Sequence, residues 1–284
     1  MNCQKTTNHI VGWLNEKVED AKLNGFVVGV SGGVDSALVS TLCALMGKRT
    51  VCLNMPISQA ADQYTRANRH IDWLKGVHEN VEGITIDLTD VTDSFMARMT
   101  QGVSCTNTLN ITDLARANIR SRLRMVALYA VANTNGLLVA GTGNKVEDFG
   151  VSFFTKYGDG GVDVSPIGGL MKSEVRELSK FLGVLPEICE AEATDGLWAD
   201  NRSDESSLGA FYDELEWAMN WCNNFPIYRP GKPTWEPWWE EQDAIKSLTG
   251  RQREVLKIYM DRHEKGQHKM QMPPICTLPD EIKE

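Results

Sequence analysis

The segment "GFVVGVSGGVDSALV", residues 25–39, constrains this chain most. A short apolar run reads as a buried parallel strand. A turn with three glycines and two serines follows, and a helix begins behind it near Asp35. Glycines let backbone N–H groups approach an anion without Cβ interference, and the helix adds the positive end of its dipole. The arrangement is a phosphate cradle, yet it lacks the lysine of the nucleotide-binding pattern G-x-x-x-x-G-K-[ST]. A carboxylate, Asp35, stands there instead. The plain structural alternative is a strand–turn–helix junction in which Asp35 only caps the helix.

The rest of the chain repeats the strand–helix rhythm. A leading helix is expected over 8–22, strands over 26–30, 50–56 and 83–88, and within 136–144 a fourth strand that runs into a glycine turn. Helices are expected after the first loop and over 59–74, 89–101, 113–134, 173–182 and 208–221. Such alternation predicts an α/β fold, a doubly wound, mostly parallel sheet with helices on both faces. Ligands then bind beyond the carboxyl ends of the strands, where residues 29–36, 54–56 and 141–144 converge. Residues 223–250 depart in composition, with four prolines and three tryptophans in "NNFPIYRPGKPTWEPWWEEQDAI", and read as a surface excursion.

Composition narrows the partners. A net charge of −9 argues against a nucleic-acid binder, whose footprint is basic. Seven cysteines, an odd number without zinc spacing, read as free thiols of a reducing cytoplasm. No apolar run reaches the ~20 residues needed to span a bilayer, and the charged N-terminus does not read as a secretory signal.

The string S-G-G-x-D-S after an apolar strand resembles the signature of the N-type ATP pyrophosphatases, or PP-loop enzymes. That resemblance implies cleavage of ATP between the α- and β-phosphates, with the loop holding the departing pyrophosphate. It leaves the substrate open. The block "VSFFTKYGDGGVDVSPIGGL", residues 151–170, closely resembles NAD synthetases. So do "NIRSRLRM" (118–125), "GTGNKVEDFG" (141–150), "RSDESSLG" (202–209) and "HKMQMPP" (268–274), in the same order over residues 8–275. The implied fold is a five-stranded sheet of the adenine nucleotide alpha hydrolase type, in a single domain over 1–284. The implied activity is ATP-dependent amidation of deamido-NAD with ammonia, giving NAD, AMP and pyrophosphate through an acyl-adenylate.

Carried over by this resemblance, Gly29, Val30, Ser31, Gly32, Gly33, Val34, Asp35 and Ser36 cradle the ATP phosphates, and Thr142, Lys172 and Thr194 also contact ATP. Asp35 and Glu147 hold Mg²⁺, and Asp35 and Lys172 are the catalytic pair. Lys172 supplies from afar the charge that the loop lacks. Arg122, Lys156, Asp163, His268 and Lys269 contact deamido-NAD. The phosphate loop lies too near the N-terminus for a preceding amidase domain, so the short, ammonia-dependent form is implied; a separate glutaminase subunit is compatible with it. A homodimer is also implied. Many family members carry T-D-H where this chain has Thr142-Gly143-Asn144, so contacts of that Asp and His do not carry over. The rival reading is another PP-loop enzyme, such as a tRNA-modifying ATP pyrophosphatase, which would want a basic surface or catalytic cysteines.

Overall fold

A computed structural model of the chain describes residues 1–58, 61–101, 111–191, 193, 204–224 and 243–282. The expected alternation is present. Strands β1 (Gly25–Gly29), β2 (Arg49–Asn54), β3 (Val81–Thr85) and β4 (Leu138–Ala140) form one sheet in the order β3-β2-β1-β4, every pairing parallel. The chain steps outward from β1 to β3, then returns to place β4 on the other side of β1. That reversal makes β1 and β4 the switch point, and it opens a crevice at their carboxyl ends.

Alternate side chains of β1 serve opposite faces, as a strand's period of two requires. Phe26 and Val28 join the core beneath helices α1 (Cys3–Ala21) and α2 (Val34–Leu45). Val27 joins Val51, Leu53 and Val139 on the other face, where α5 (Asp113–Asn135) contributes Ala132. Helix α3 (Ala61–Val77) packs Ala67, Ile71 and Leu74 against Cys52, and α4 (Thr89–Gln101) contacts α5. Helix α6 (Lys172–Phe181) leads into the short α7 (Pro186–Cys189), and both pack on the α1–α2 side. A separate cluster is built by α8 (Asp204–Leu208), α9 (Tyr212–Asn224), α10 (Asp243–Lys246) and α11 (Gly250–Met270), with Leu215, Ile245 and Leu256 at its centre.

Three expectations need correction. The sheet has four strands among the described residues, not five. Beyond β4 the sheet gains one parallel bridge, Ala140 to Val164, which goes no further because Pro166 has no N–H to continue the ladder and Gly168 already turns back onto Ser165. The third strand runs Val81–Thr85, earlier than 83–88. The helix expected over 208–221 is two helices, broken at Gly209, whose φ of +81° a non-glycine residue adopts only under strain. Most of the Pro/Trp-rich excursion lies outside the described residues.

Candidate active site

The phosphate loop leaves β1 and enters α2 with Gly33 as N-cap, its side-chain cap absent. Asp35 therefore sits one residue inside the helix and does not cap it. The loop is closed by its own serines. Ser36 Oγ donates to the Gly33 carbonyl at 2.9 Å and accepts the Ser31 N–H at 3.1 Å. Gly32, at φ +86°, lies so close to α3 that a Cβ there would meet the Gln63 carbonyl oxygen at 2.6 Å.

The opposite wall starts where β4 ends. Asn144 caps a π-helical turn, Lys145–Gly150, accepting the N–H groups of Val146 and Glu147 at 3.1 Å each. Such turns are frequent at functional sites. The same Asn144 donates to Asp35 Oδ1 at 3.1 Å and so ties the two walls together. Glu147 leaves this turn toward Asp35, and between them stands Lys172, the first residue of α6. Its Nζ is 2.5 Å from Asp35 Oδ2 and 2.9 Å from Glu147 Oε1, and the residue is 2 % exposed. Tyr212 donates its hydroxyl to Glu147 Oε1 at 2.5 Å, lies 3.2 Å from Asp204 Oδ2, and turns its ring face to the Lys172 ammonium.

Burial and charge compete here. Burial pushes the Asp35 carboxyl above its usual range despite the Lys172 charge beside it. Burial acts on Glu147 as well, but Lys172 and the Tyr212 hydroxyl outweigh it and hold that carboxyl below its usual value. For Lys172 burial favours the neutral amine, and the two carboxylates prevail, raising its pKa. The result is a buried cation shared by two acids, an arrangement whose worth depends on every partner being present.

Asp35, Glu147 and Lys172 line one cavity of about 730 Å³ with the loop residues from Gly29 to Ser36, Thr142 and Lys269. Phe153, Phe154 and Thr155 of the glycine-rich block line it too. Lys269, on α11, donates to the carbonyls of Ser152 and Phe154 at 2.7 and 2.8 Å, and so holds that block in place.

Four expected contact residues lie elsewhere. Arg122, Lys156 and His268 form a chain outside the cavity wall. Arg122 donates to the Lys156 carbonyl at 3.3 Å, and the Lys156 ammonium donates to the carbonyls of His268 and Gln271. Asp163 accepts the Val139 N–H at 2.8 Å and the Tyr129 hydroxyl at 3.0 Å, stitching the short edge of β4. Thr194 lies outside the described residues.

Two hard carboxylates converging on one point suit a divalent cation that keeps water and substrate phosphates as its other ligands. In the structure that point is filled by the Lys172 ammonium. Among the described residues no group of three or more His, Cys, Asp or Glu side chains is arranged to hold a metal.

The sequence reading missed several members. Asn144 begins N-x-x-E, a capping-box-like pattern that marks it as a helix start. Asp148 lies beside Gly143, where a Cβ would fall 1.9 Å from its Oδ2, so a side chain at 143 would displace this carboxylate. Burial, then Asp159, Glu147 and Asp35, push the Asp148 carboxyl well above the usual range. Asp159 accepts from Ser121 Oγ at 2.6 Å and from the Thr155 N–H at 3.0 Å, and burial raises its pKa as well. Tyr212 carried no local signal, since its partner lies 65 positions away.

The family model for NAD synthase matches residues 6–273. This chain belongs to the NAD synthase family. Among its relatives, the NH(3)-dependent NAD(+) synthetase of Methanosarcina acetivorans is 35% identical over 282 residues, covering 98% of this chain and 100% of that protein. The enzyme of the same name from Methanocaldococcus jannaschii is 35% identical over 273 residues, or 95% and 96% of the two chains. In three dimensions the chain is similar to the NMN synthetase of Francisella tularensis, with a TM-score of 0.78, 27% identity and coverage of 98% and 100%. It is also similar to the NH3-dependent NAD synthetase of Campylobacter jejuni, with a TM-score of 0.70, 28% identity and the same coverage. As a member of the NAD synthase family the chain is a C–N bond-forming ligase with ATP as co-substrate.

Proposed function

We propose that this chain amidates the nicotinate carboxyl of deamido-NAD with ammonia, turning ATP into AMP and pyrophosphate, the last step in making NAD. One observation carries the reading: the phosphate loop, the Asp35–Lys172–Glu147 hub and the Phe153–Thr155 block share a single cavity. A carboxylate is a poor electrophile because its leaving group would be oxide or hydroxide. Transfer of AMP to the carboxylate gives an acyl-adenylate, and ammonia then displaces AMP. The protein's part is positioning and charge neutralisation. Residues 29–36 hold the phosphates, Lys172 keeps positive charge beside them, and Thr142 and Thr194 contribute to the nucleotide contacts. Asp35 and Glu147 are the residues that would hold Mg²⁺, whose chemistry is to neutralise phosphate charge. Lys269 in the cavity, and Arg122, Lys156, Asp163 and His268 around it, serve the dinucleotide.

Incubation with ATP, Mg²⁺, deamido-NAD and ammonium should give NAD, AMP and pyrophosphate in equal amounts. ADP and phosphate in their place would sink the reading. Nicotinate mononucleotide is the second candidate acceptor, favoured by the fold's likeness to an NMN synthetase. Initial rates with the two acceptors decide between them.

The active unit on this reading is a homodimer of single-domain chains spanning 1–284. Its support is the apolar surface left open on α4 and α5, where Val91, Phe95, Met99, Leu114 and Val126 are all exposed. Sedimentation as a stable monomer would count against it. The cytoplasm is the compartment that suits the six described cysteines, all of them free. Among the described residues no helix is long and apolar enough to cross a membrane.

A further inference from the structure

Lys172 is shared between two carboxylates, which leaves open what further cation meets the terminal phosphates. We propose that Arg66, on α3, is a phosphate-binding residue of the nucleotide site and holds the β- and γ-phosphates of ATP, and then pyrophosphate, against the glycine loop. The inference rests on the ATP-binding reading above.

Three observations carry it. Helix α3 is wedged against the loop: the space beside Gly32 is bounded by the Gln63 carbonyl oxygen at 2.6 Å, the Ala67 nitrogen at 3.2 Å and Arg66 Cβ at 3.3 Å. Arg66, like Gln63, leaves α3 next to the loop, and it lines the same cavity as Ser31, Gly32 and Asp35. Its guanidinium is only partly used. Nη1 donates to Asp62 Oδ2 at 2.8 Å, one turn earlier, while Nε is buried without an acceptor among the described residues. A buried guanidinium N–H without an acceptor is unfavourable, so a small turn of this side chain into the cavity is favoured by a phosphate oxygen, the acceptor its planar fork fits best. Arg69, three residues on, differs on both counts: it pairs with Glu187 Oε2 at 2.8 Å and does not line the cavity. Both arginines border a shallow outer pocket with Asp62 and Glu187, but of the two Arg66 also reaches the nucleotide cavity, whereas Arg69 ties α3 to α7. No local motif marks Arg66, because its meaning depends on the packing of α3 against Gly32.

The test uses the full-length protein with Arg66→Gln, Arg66→Lys and, as control, Arg69→Gln. Binding of pyrophosphate and of AMP is measured by calorimetry with Mg²⁺ present, beside steady-state kinetics. Arg66→Gln should weaken pyrophosphate binding and raise KM for ATP by about tenfold or more, as loss of a charge-assisted contact implies. AMP binding and KM for the nicotinate acceptor should stay within about twofold, because neither carries the terminal phosphates. Arg66→Lys should recover part of the loss, and Arg69→Gln should match the parent. Unchanged pyrophosphate affinity in Arg66→Gln would overturn the proposal. So would equal losses for pyrophosphate, AMP and acceptor together with a lowered Tm, which would mark Arg66 as structural. Pyrophosphate binding needs no turnover, so a parent protein that formed no NAD would defeat the function proposed above while leaving Arg66 testable.

Discussion

The two walls of the cavity are built by different means. The phosphate-loop wall is made of backbone, a strand end, glycines and the first turn of a helix, closed by its own serines. The wall from 144 to 172 is made of side chains, with Asn144, Glu147 and Lys172 held by one another and by Tyr212 from the C-terminal helices. A backbone wall tolerates changes of side chain and fails when the chain path is altered. A side-chain wall fails when one partner is removed.

The largest effect should come from Lys172→Met. It leaves two buried carboxylates without their cation, and breaking a buried pair in this way costs about 3–5 kcal/mol. Turnover should fall by about a thousandfold, as when a preorganised charge is lost. Adding Asp35→Asn should restore part of the stability and none of the activity, in denaturant melts and product assays. A Lys172→Met protein as stable as the parent would break the comparison.

A second test reaches the packing behind the backbone wall. His70 on α3 meets Ser40 of α2 through Nε2 at 2.9 Å, and burial lowers its pKa from 6.5 to about 4. The native imidazole thus stays neutral where the unfolded chain takes up a proton. Its contribution is complete above pH 6.5 and is lost as pH falls toward 4, on the order of 3 kcal/mol over that window. Urea melts at stepped pH should show this slope in the parent and a flatter one in His70→Gln.

Gly32→Ala should cost about 2 kcal/mol, since its left-handed backbone and the nearby Gln63 carbonyl both oppose a Cβ. ATP binding should weaken with it. Ser36→Ala, on the same wall, removes only hydroxyl bonds and should cost about 1 kcal/mol. If thermal melts showed Ser36→Ala to be the worse of the two, the wall would be a side-chain device after all.

The same difference explains what could be read from the sequence. The loop of residues 29–36, the doubly wound order and the helices over 89–101 and 113–134 carry their signals in adjacent residues, and the structure has them. Glu147 and Lys172 entered through resemblance, and they do converge with Asp35. The position of Lys172 between the acids, the cap made by Asn144 and the reach of Tyr212 depend on contacts far along the chain, which no window of sequence displays. The fifth strand came from the resemblance alone and had no segment assigned to it; the bridge at Val164 goes no further because Pro166 has no N–H. Arg122, Lys156, Asp163 and His268 were read as a set; the fold links Arg122, Lys156 and His268 through backbone carbonyls just outside the cavity and sets Asp163 apart, bound to β4.

The sheet order also sets a sequence in time. β1 and β2 are neighbours in the chain and pair with little loop to close, whereas β4 joins β1 only after the whole α2–α5 stretch has been made. Contacts between distant residues form slowly because their loops must be closed first. Asp35 and Lys172 stand 137 positions apart. A chain emerging from the ribosome therefore owns its anion-binding corner well before the ammonium that will balance Asp35. During that interval the young corner carries an uncompensated acid, open to water or to whatever cation the surroundings provide.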